Sequence, residues 1–311
     1  AKANVIQPSI TGINSRDLRT FRTDPLLPMK TRAWAEYPTE FVYESGIFRA
    51  LDAQMAGANG FEGILVGEGV VRRPELIGDL RRAFLGHTGF GFWGKLFAGK
   101  RPDGPLVKYC GLTREEDVLE ADALGVNLLG FILAPSKRQV SPEFIASLPA
   151  TKALKVGVVV LASGEALTQD IAALVDTGKL DAIQFHGQED AAILDNLGIP
   201  SFKALSLKGD GDDEKVRYYR DSLCPRLLFD AFSPEAAGGT GKRIQAEFLK
   251  PFTDGPLWLA GGLNPENISE VLQQWQPELV DLAGGIESAP GIKDSAKMQA
   301  FIKKVKEYSY D

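Results

Sequence analysis

Short apolar runs recur along the last two-thirds of the chain, each followed by a polar or glycine-rich stretch and then a helix-like spacer. The runs are Val107–Cys110, Asn127–Leu133, Lys155–Leu161, Asp181–His186, Ser201–Leu205, Leu227–Asp230, Leu257–Ala260 and Leu279–Ala283. All are rich in Val, Leu, Ile and Phe, as strands covered on both faces should be. Eight strand–helix units within about 200 residues, closed by a final helix, predict an α/β fold of the (β/α)8 TIM-barrel type from Leu106 to Asp311. Such a barrel carries its chemistry at the C-terminal ends of its strands. The search for functional residues therefore narrows to eight short stretches.

Upstream the same pattern supplies only three units. Their strands fall near Ser9–Ile13, Glu40–Tyr43 and Gly63–Val66, with helices near Ala50–Ala56 and Pro74–Phe84 and a less clearly helical connection near Leu26–Glu36. Three strands cannot close a barrel, and such a sheet keeps two open edges. Residues 1–85 are therefore expected either to be a partial barrel whose other units lie upstream of Ala1, the favoured reading, or to dock on another surface. The intervening Gly86–Pro105, with its glycines and aromatic residues, reads as a linker over 86–105 that the aromatics partly order. The complete barrel occupies 106–311. Three helix starts fit this frame: a capping box at Thr113-Arg-Glu-Glu116, and an N-cap before proline at Ser141-Pro142 and at Asn264-Pro265.

Composition removes several function classes. A net charge of −6 argues against nucleic acid as a partner, yet backbone N–H groups can still hold a small anion. Two cysteines, Cys110 and Cys224, allow neither a disulfide framework nor cysteine-based metal spacing and fit a reducing, cytoplasmic setting. The apolar runs are too short to span a membrane.

The strand ends carry the candidate chemistry. Cys110 closes the first run and Asp230 the sixth. A thiol and a carboxyl facing one substrate could act as base and acid, although the thiol could equally be a small buried hydrophobe and the carboxyl a cap. Glycines follow the sixth, seventh and eighth runs: Gly238-Gly239-Thr-Gly241, Gly261-Gly262 and Gly284-Gly285. Their backbone could approach a phosphate closely, and the first group could instead be a mobile lid. His186 ends the fourth run, either as a structural hydrogen-bonding group or in the site. Arg138 follows the second run, as a solvated charge or as a bidentate partner for a carboxylate.

Taken together, these residues resemble the phosphoribosylanthranilate isomerases. The likeness runs through Lys108-Tyr-Cys-Gly-Leu-Thr113, Ser136-Lys-Arg138, Gln184-Phe-His-Gly-Gln-Glu189, Asp230, Gly238–Gly241, Leu259-Ala-Gly-Gly-Leu-Asn-Pro265, Asp281–Glu287 and Pro290-Gly-Ile-Lys-Asp294. It implies Cys110 as general base, Asp230 as general acid and Arg138 as the residue holding the anthranilate part. The glycine-rich ends would bind phosphate, with His186 also at the substrate. The chain departs from the family at Tyr109, where Ile is usual. It also departs at Ala283-Gly284, where two serines are usual and whose lost hydroxyls should weaken phosphate binding, and at Arg243-Ile-Gln.

Residues 1–85 resemble the last third of indole-3-glycerol-phosphate synthase, through Gly12-Ile-Asn-Ser-Arg-Asp-Leu18, Glu44-Ser-Gly-Ile47 and Leu65-Val-Gly-Glu-Gly69. By this resemblance Asn14, Glu44 and Ser45 would contact substrate, and Gly46 and Gly67 would lie near its phosphate. Asn14-Ser15 replaces the usual Asn-Asn, and Glu68 or Gly69 a usual Ser. The family's catalytic lysines and acids on earlier strands are absent, so this segment alone is not expected to be a working synthase. The whole resembles the C-terminal part of a fused synthase–isomerase of tryptophan biosynthesis.

The implied reaction is an Amadori rearrangement of a phosphorylated sugar–anthranilate substrate, needing no metal or other cofactor. It asks Asp230 to start protonated, near apolar Phe229 and Phe232, and Cys110 to become a thiolate, with help from a nearby cation or helix terminus. Rival readings are another phosphate-binding barrel isomerase or epimerase, or an inactive barrel acting as a scaffold. Cys110, where a histidine-pathway isomerase would carry aspartate, speaks against the first; the intact Cys110–Asp230 pair speaks against the second.

Overall fold

The computed structural model describes residues 2–86, 91–98, 104–209, 211–220, 225–231 and 246–310. Two compact units result, residues 1–100 and 101–311.

In the first unit, β1 (Ile10–Asn14), β2 (Glu40–Glu44) and β3 (Gly63–Leu65) form a parallel sheet in that order, with Asn14 opposite Glu44. Helices Leu27–Arg32, Ala50–Ala58 and Leu76–Leu85 accompany it. Asp52 starts the second helix by accepting from the Phe48 and Arg49 N–H groups at 2.9 and 3.0 Å.

The expected linker over 86–105 is corrected in its middle. Phe92–Ala98 is a helix of the first unit that packs against Leu27–Arg32 and buries Phe92, Trp93, Leu96 and Phe97. The Gly94 N–H donates to Asn59 at 2.6 Å, and the Lys30 ammonium lies 5.3 Å from the Phe97 ring centre. The partial ordering expected from the aromatic residues takes the form of this helix, because four large apolar side chains within it gain more from burial than the chain loses in freedom.

The second unit is a closed, all-parallel barrel of eight strands. These are β4 (Leu106–Cys110), β5 (Leu128–Ile132), β6 (Leu154–Val159), β7 (Ala182–Phe185), β8 (Ser201–Leu207), β9 (Leu227–Ala231), β10 (Trp258–Leu259) and β11 (Leu279–Leu282). β11 pairs with β4 to complete the ring. Every strand residue of β4 is buried, as the uniform apolar runs predict. The floor is sealed by Arg226, whose Nε lies 2.8 Å from Glu278, a carboxylate that also accepts from Trp258 Nε1 at 2.8 Å. Past β11 a 3-10 turn, Gly284–Ile286, leads into a short antiparallel hairpin, β12 (Glu287–Ala289) and β13 (Ile292–Lys293), before the final helix Ser295–Glu307.

Local signals hold unevenly. Ser141 caps its helix by accepting from Phe144 N. The capping box at Thr113 does not form. The Thr113 hydroxyl hydrogen-bonds to Gly291 O in the hairpin, and the helix starts at Glu115 after Arg114. Asn264 accepts from Asn267 N at 3.0 Å and so organises a turn, while the helix proper begins at Ile268. Tyr109 points away from the barrel axis: its hydroxyl donates to Met298 O at 2.7 Å on the last helix. That departure from the family leaves the mouth untouched.

Candidate functional site

Alternation along a strand decides what faces the mouth. On β4, Lys108 and Cys110 share the inner face and Tyr109 the outer. On β9, Asp230 faces inward, while Phe229 turns outward and stacks on Phe252 with ring centres 5.5 Å apart. The expectation that Phe229 supplies an apolar wall for Asp230 is therefore corrected, and Phe232 lies outside the described residues. Among the described residues, His186 comes close to Asp230 instead, its Nε2 3.7 Å from Oδ2.

A cavity at the C-terminal mouth brings together Cys110, Arg138, His186, Asp230, Gly261, Gly262, Gly284 and Gly285. Gly239 lies outside the described residues, with the rest of the Gly238–Gly241 group. Gln184, Asp281 and Ala283 also line the cavity. The sequence gives Gln184 and Asp281 no individual role, although both lie in the motifs that carry the resemblance, and marks Ala283 only as a departure expected to weaken phosphate binding.

Gly261 and Gly262 take positive φ, +88° and +63°, a region that favours glycine. Neither backbone N–H donates to a protein acceptor among the described residues. Gly285 is packed still more tightly: a Cβ there would lie 1.8 Å from Leu263 O. The two glycine turns thus touch through bare backbone and form one N–H-rich rim suited to an anion.

The Arg138 guanidinium forks onto Glu287 of the hairpin. Lys293, on the facing strand, donates to Glu287 at 2.9 Å, to Cys110 O at 2.7 Å and to Ala283 O at 3.1 Å. Burial pushes the Glu287 carboxyl up, but its bond to Arg138 and the Lys293 charge more than offset this, leaving it below the ordinary range. With both cations charged, two positive groups surround one carboxylate, so this side of the mouth favours an anionic group.

His186 is held by a buried frame. Glu189 accepts from Gly187 N at 2.8 Å, and Lys203 donates to Glu189 at 2.9 Å and to Gly187 O at 2.8 Å. Burial, followed by the charges of Lys203 and Lys108, pulls the His186 pKa down to about 4. The ring is neutral at pH 7.

Burial pushes the Cys110 thiol up, and nearby Lys108 and Lys293 counter part of that shift. Lys108, fully buried, donates to Asp281 Oδ2 at 2.9 Å. Asp281 Oδ1, His186 Nε2 and Gln184 Oε1 are buried without hydrogen-bond partners among the described residues. All three side chains line the cavity, where hydroxyl or amine groups of a ligand could complete them.

In the first unit, Asn14, Glu44, Ser45, Gly46 and Gly67 gather at or just beyond the strand ends. Asn14 Oδ1 accepts from Arg16 N at 2.7 Å. The Glu44 carboxylate occupies the space over Gly12, where a Cβ would sit 1.9 Å from Oε1. Ser45 and Gly46 both take positive φ, and the Ser15 hydroxyl donates to Ser45 O at 3.0 Å. Gly67 precedes a short helix, Glu68–Arg72.

Residues 107–304 match the family model of N-(5′-phosphoribosyl)anthranilate isomerase, and residues 1–82 match that of indole-3-glycerol phosphate synthase. The curated N-(5′-phosphoribosyl)anthranilate isomerase of Erythrobacter litoralis is 38% identical over 202 residues, covering 63% of this chain and 96% of that protein. Phosphoribosyl anthranilate isomerase from Thermotoga maritima superposes with a TM-score of 0.56 at 32% identity, over 65% of this chain and 98% of that one. A further isomerase structure, in complex with reduced 1-(o-carboxyphenylamino)-1-deoxyribulose 5-phosphate, gives 0.53 at 31% identity over 65% and 98%. No described helix is long and apolar enough to cross a membrane.

Proposed function

The chain belongs to the N-(5′-phosphoribosyl)anthranilate isomerase family, and we infer from that premise how its barrel rearranges N-(5′-phosphoribosyl)anthranilate to 1-(2-carboxyphenylamino)-1-deoxyribulose 5-phosphate in tryptophan biosynthesis. One observation carries the residue assignments: Cys110, Asp230 and Arg138 line a single cavity rimmed by Gly261, Gly262, Gly284 and Gly285.

In this reading the glycine N–H groups hold the phosphate at one side of the mouth, and Arg138 pairs with the anthranilate carboxylate at the other. Asp230 gives a proton to the furanose oxygen as the C1–O bond breaks. The amine lone pair closes a C1=N iminium. Cys110, as thiolate, removes the C2 proton, and the electron pair forms C1=C2 while neutralising the nitrogen. The enolamine then gains a proton at C1 and loses its O2 proton, giving the ketone. Neutral His186 neighbours the Asp230 carboxyl without a competing charge.

The first unit supplies part of a synthase-type substrate end, with Asn14, Glu44, Ser45, Gly46 and Gly67 at it. The chain therefore joins a segment of the synthase to the isomerase barrel. A reducing cytoplasm suits a chain with two cysteines.

The test is turnover. Purified chain is mixed with freshly made phosphoribosylanthranilate, and the product is resolved by chromatography. Product formation above the uncatalysed rate is expected; none from folded protein would reject the reading.

A further inference from the structure

We propose that Lys108 is a positioning residue for this reaction, holding the Cys110 thiolate against burial while Asp281 fixes the lysine in place. The proposal rests on the isomerase reading, and the mechanism above leaves both residues unused.

Lys108 and Cys110 lie two apart on β4 and so share its inner face. Opposite them on β5 is Gly130, in register with Cys110. A Cβ at Gly130 would sit 2.8 Å from Cys110 Sγ and 2.9 Å from Lys108 Nζ. The missing side chain thus leaves one space that thiol and ammonium share, and the positive charge of Lys108 counters the burial of the sulfur. Asp281, from β11, receives the same ammonium at 2.9 Å on its other side.

The charges around the sulfur sort by element. Lys108 comes from β4 and Asp281 from β11. Lys293 of β13 reaches the Cys110 carbonyl, and Arg138 of the loop after β5 is engaged by Glu287. Lys293 also shares Glu287, so Lys108 is the cation set at the sulfur itself. Asp281 alone would oppose the thiolate. Its contribution is to keep Lys108 charged: burial pushes the ammonium down, but Asp281 and then Cys110 more than offset that.

A buried lysine–aspartate pair is costly, and an apolar pair of the same volume would often be no less stable. Its location beside the nucleophilic sulfur supplies a reason for carrying that cost. In the reaction, the thiolate takes the C2 proton and becomes a thiol, while Lys108 and Asp281 keep their charges. The pair is then set to favour loss of that proton again.

The experiment reads the thiol directly. In the full chain with Cys224→Ser, so that Cys110 is the one cysteine, the rate of iodoacetamide alkylation is followed against pH. In the charge-balanced variant Lys108→Met/Asp281→Asn the midpoint is expected to rise by at least one unit, with alkylation at pH 7.5 falling tenfold or more. The acid limb of kcat/KM should move the same way. Lys108→Arg, which keeps the cation, should restore part of the shift. Should the double variant fail to fold, Gly130→Ala, whose Cβ would push sulfur and ammonium apart, is expected to move the midpoint in the same direction. An unmoved alkylation profile in the folded variant overturns the proposal. Because alkylation needs no turnover, an inactive wild type that still shows the shift would count against the isomerase reading alone.

Discussion

Arg138 and Glu287 are joined by three hydrogen bonds: Nε to Oε1 at 2.8 Å, Nε to Oε2 at 3.1 Å and Nη2 to Oε2 at 2.7 Å. They lie 149 positions apart in sequence. The fork fixes the plane of the guanidinium at the edge of the cavity, and planar, bidentate geometry is what lets arginine orient a carboxylate.

Arg138→Ala is therefore expected to weaken substrate use mainly through KM. Loss of a charge-assisted contact is worth about 1.5–3 kcal/mol, roughly tenfold to a hundredfold in kcat/KM. Glu287→Gln should act in the same direction but less, because Arg138 stays and only its orientation loosens. Steady-state kinetics on both variants check this. Unchanged kcat/KM in Arg138→Ala would mean that Arg138 does not meet the substrate.

Cys110→Ser and Asp230→Asn should each lower kcat by roughly a hundredfold or more, the scale of a lost base or acid. KM should change little, since neither group is assigned to the phosphate or the carboxylate. Near-normal kcat in both variants would return these residues to a structural role.

The glycine rim makes a different kind of prediction. Gly285→Ala places a Cβ 1.8 Å from Leu263 O, a backbone atom that cannot rotate aside. The turn after β11 must then separate from the turn after β10, which carries Gly261 and Gly262. Inorganic phosphate, as a competitive inhibitor, should lose affinity by more than tenfold, and KM should rise in step. Phosphate inhibition as strong as in the wild type would place the anion elsewhere.

Much of this site is legible in the sequence because strand runs in a closed barrel leave little choice of geometry. Once Cys110, His186 and Asp230 end inward-facing strand positions, the mouth gathers them. The hairpin carrying Glu287 and Lys293 was not legible: β12 and β13 have three and two residues, too short for a period to show. Lys108 and Asp281 carry no individual signal in the sequence for another reason. Each sits within a run that otherwise reads as apolar core, and their pairing joins β4 to β11 across 173 positions. The helix Phe92–Ala98 was hidden by its flanking glycines, which signal a turn more strongly than seven residues signal a helix.

The last prediction concerns pH and follows from His186. Its folded pKa is drawn down to about 4 from an ordinary 6.5, chiefly by burial. Between those values the unfolded chain binds a proton at this residue and the folded chain does not. Stability must therefore fall as pH drops from about 6.5 toward 4, and the contribution is fully present above 6.5. A shift of this size sets the loss at up to about 3 kcal/mol. Carboxylates titrate in the same window, so the wild type alone cannot isolate the histidine. Urea denaturation at pH 7 and pH 4.5, on the wild type and on His186→Asn, does so by difference. The wild type should lose more stability between the two pH values than the variant, by an amount approaching that figure. Equal losses would mean that His186 takes up its proton near the ordinary 6.5 in the folded barrel, and that burial does not hold the imidazole beside Asp230 neutral.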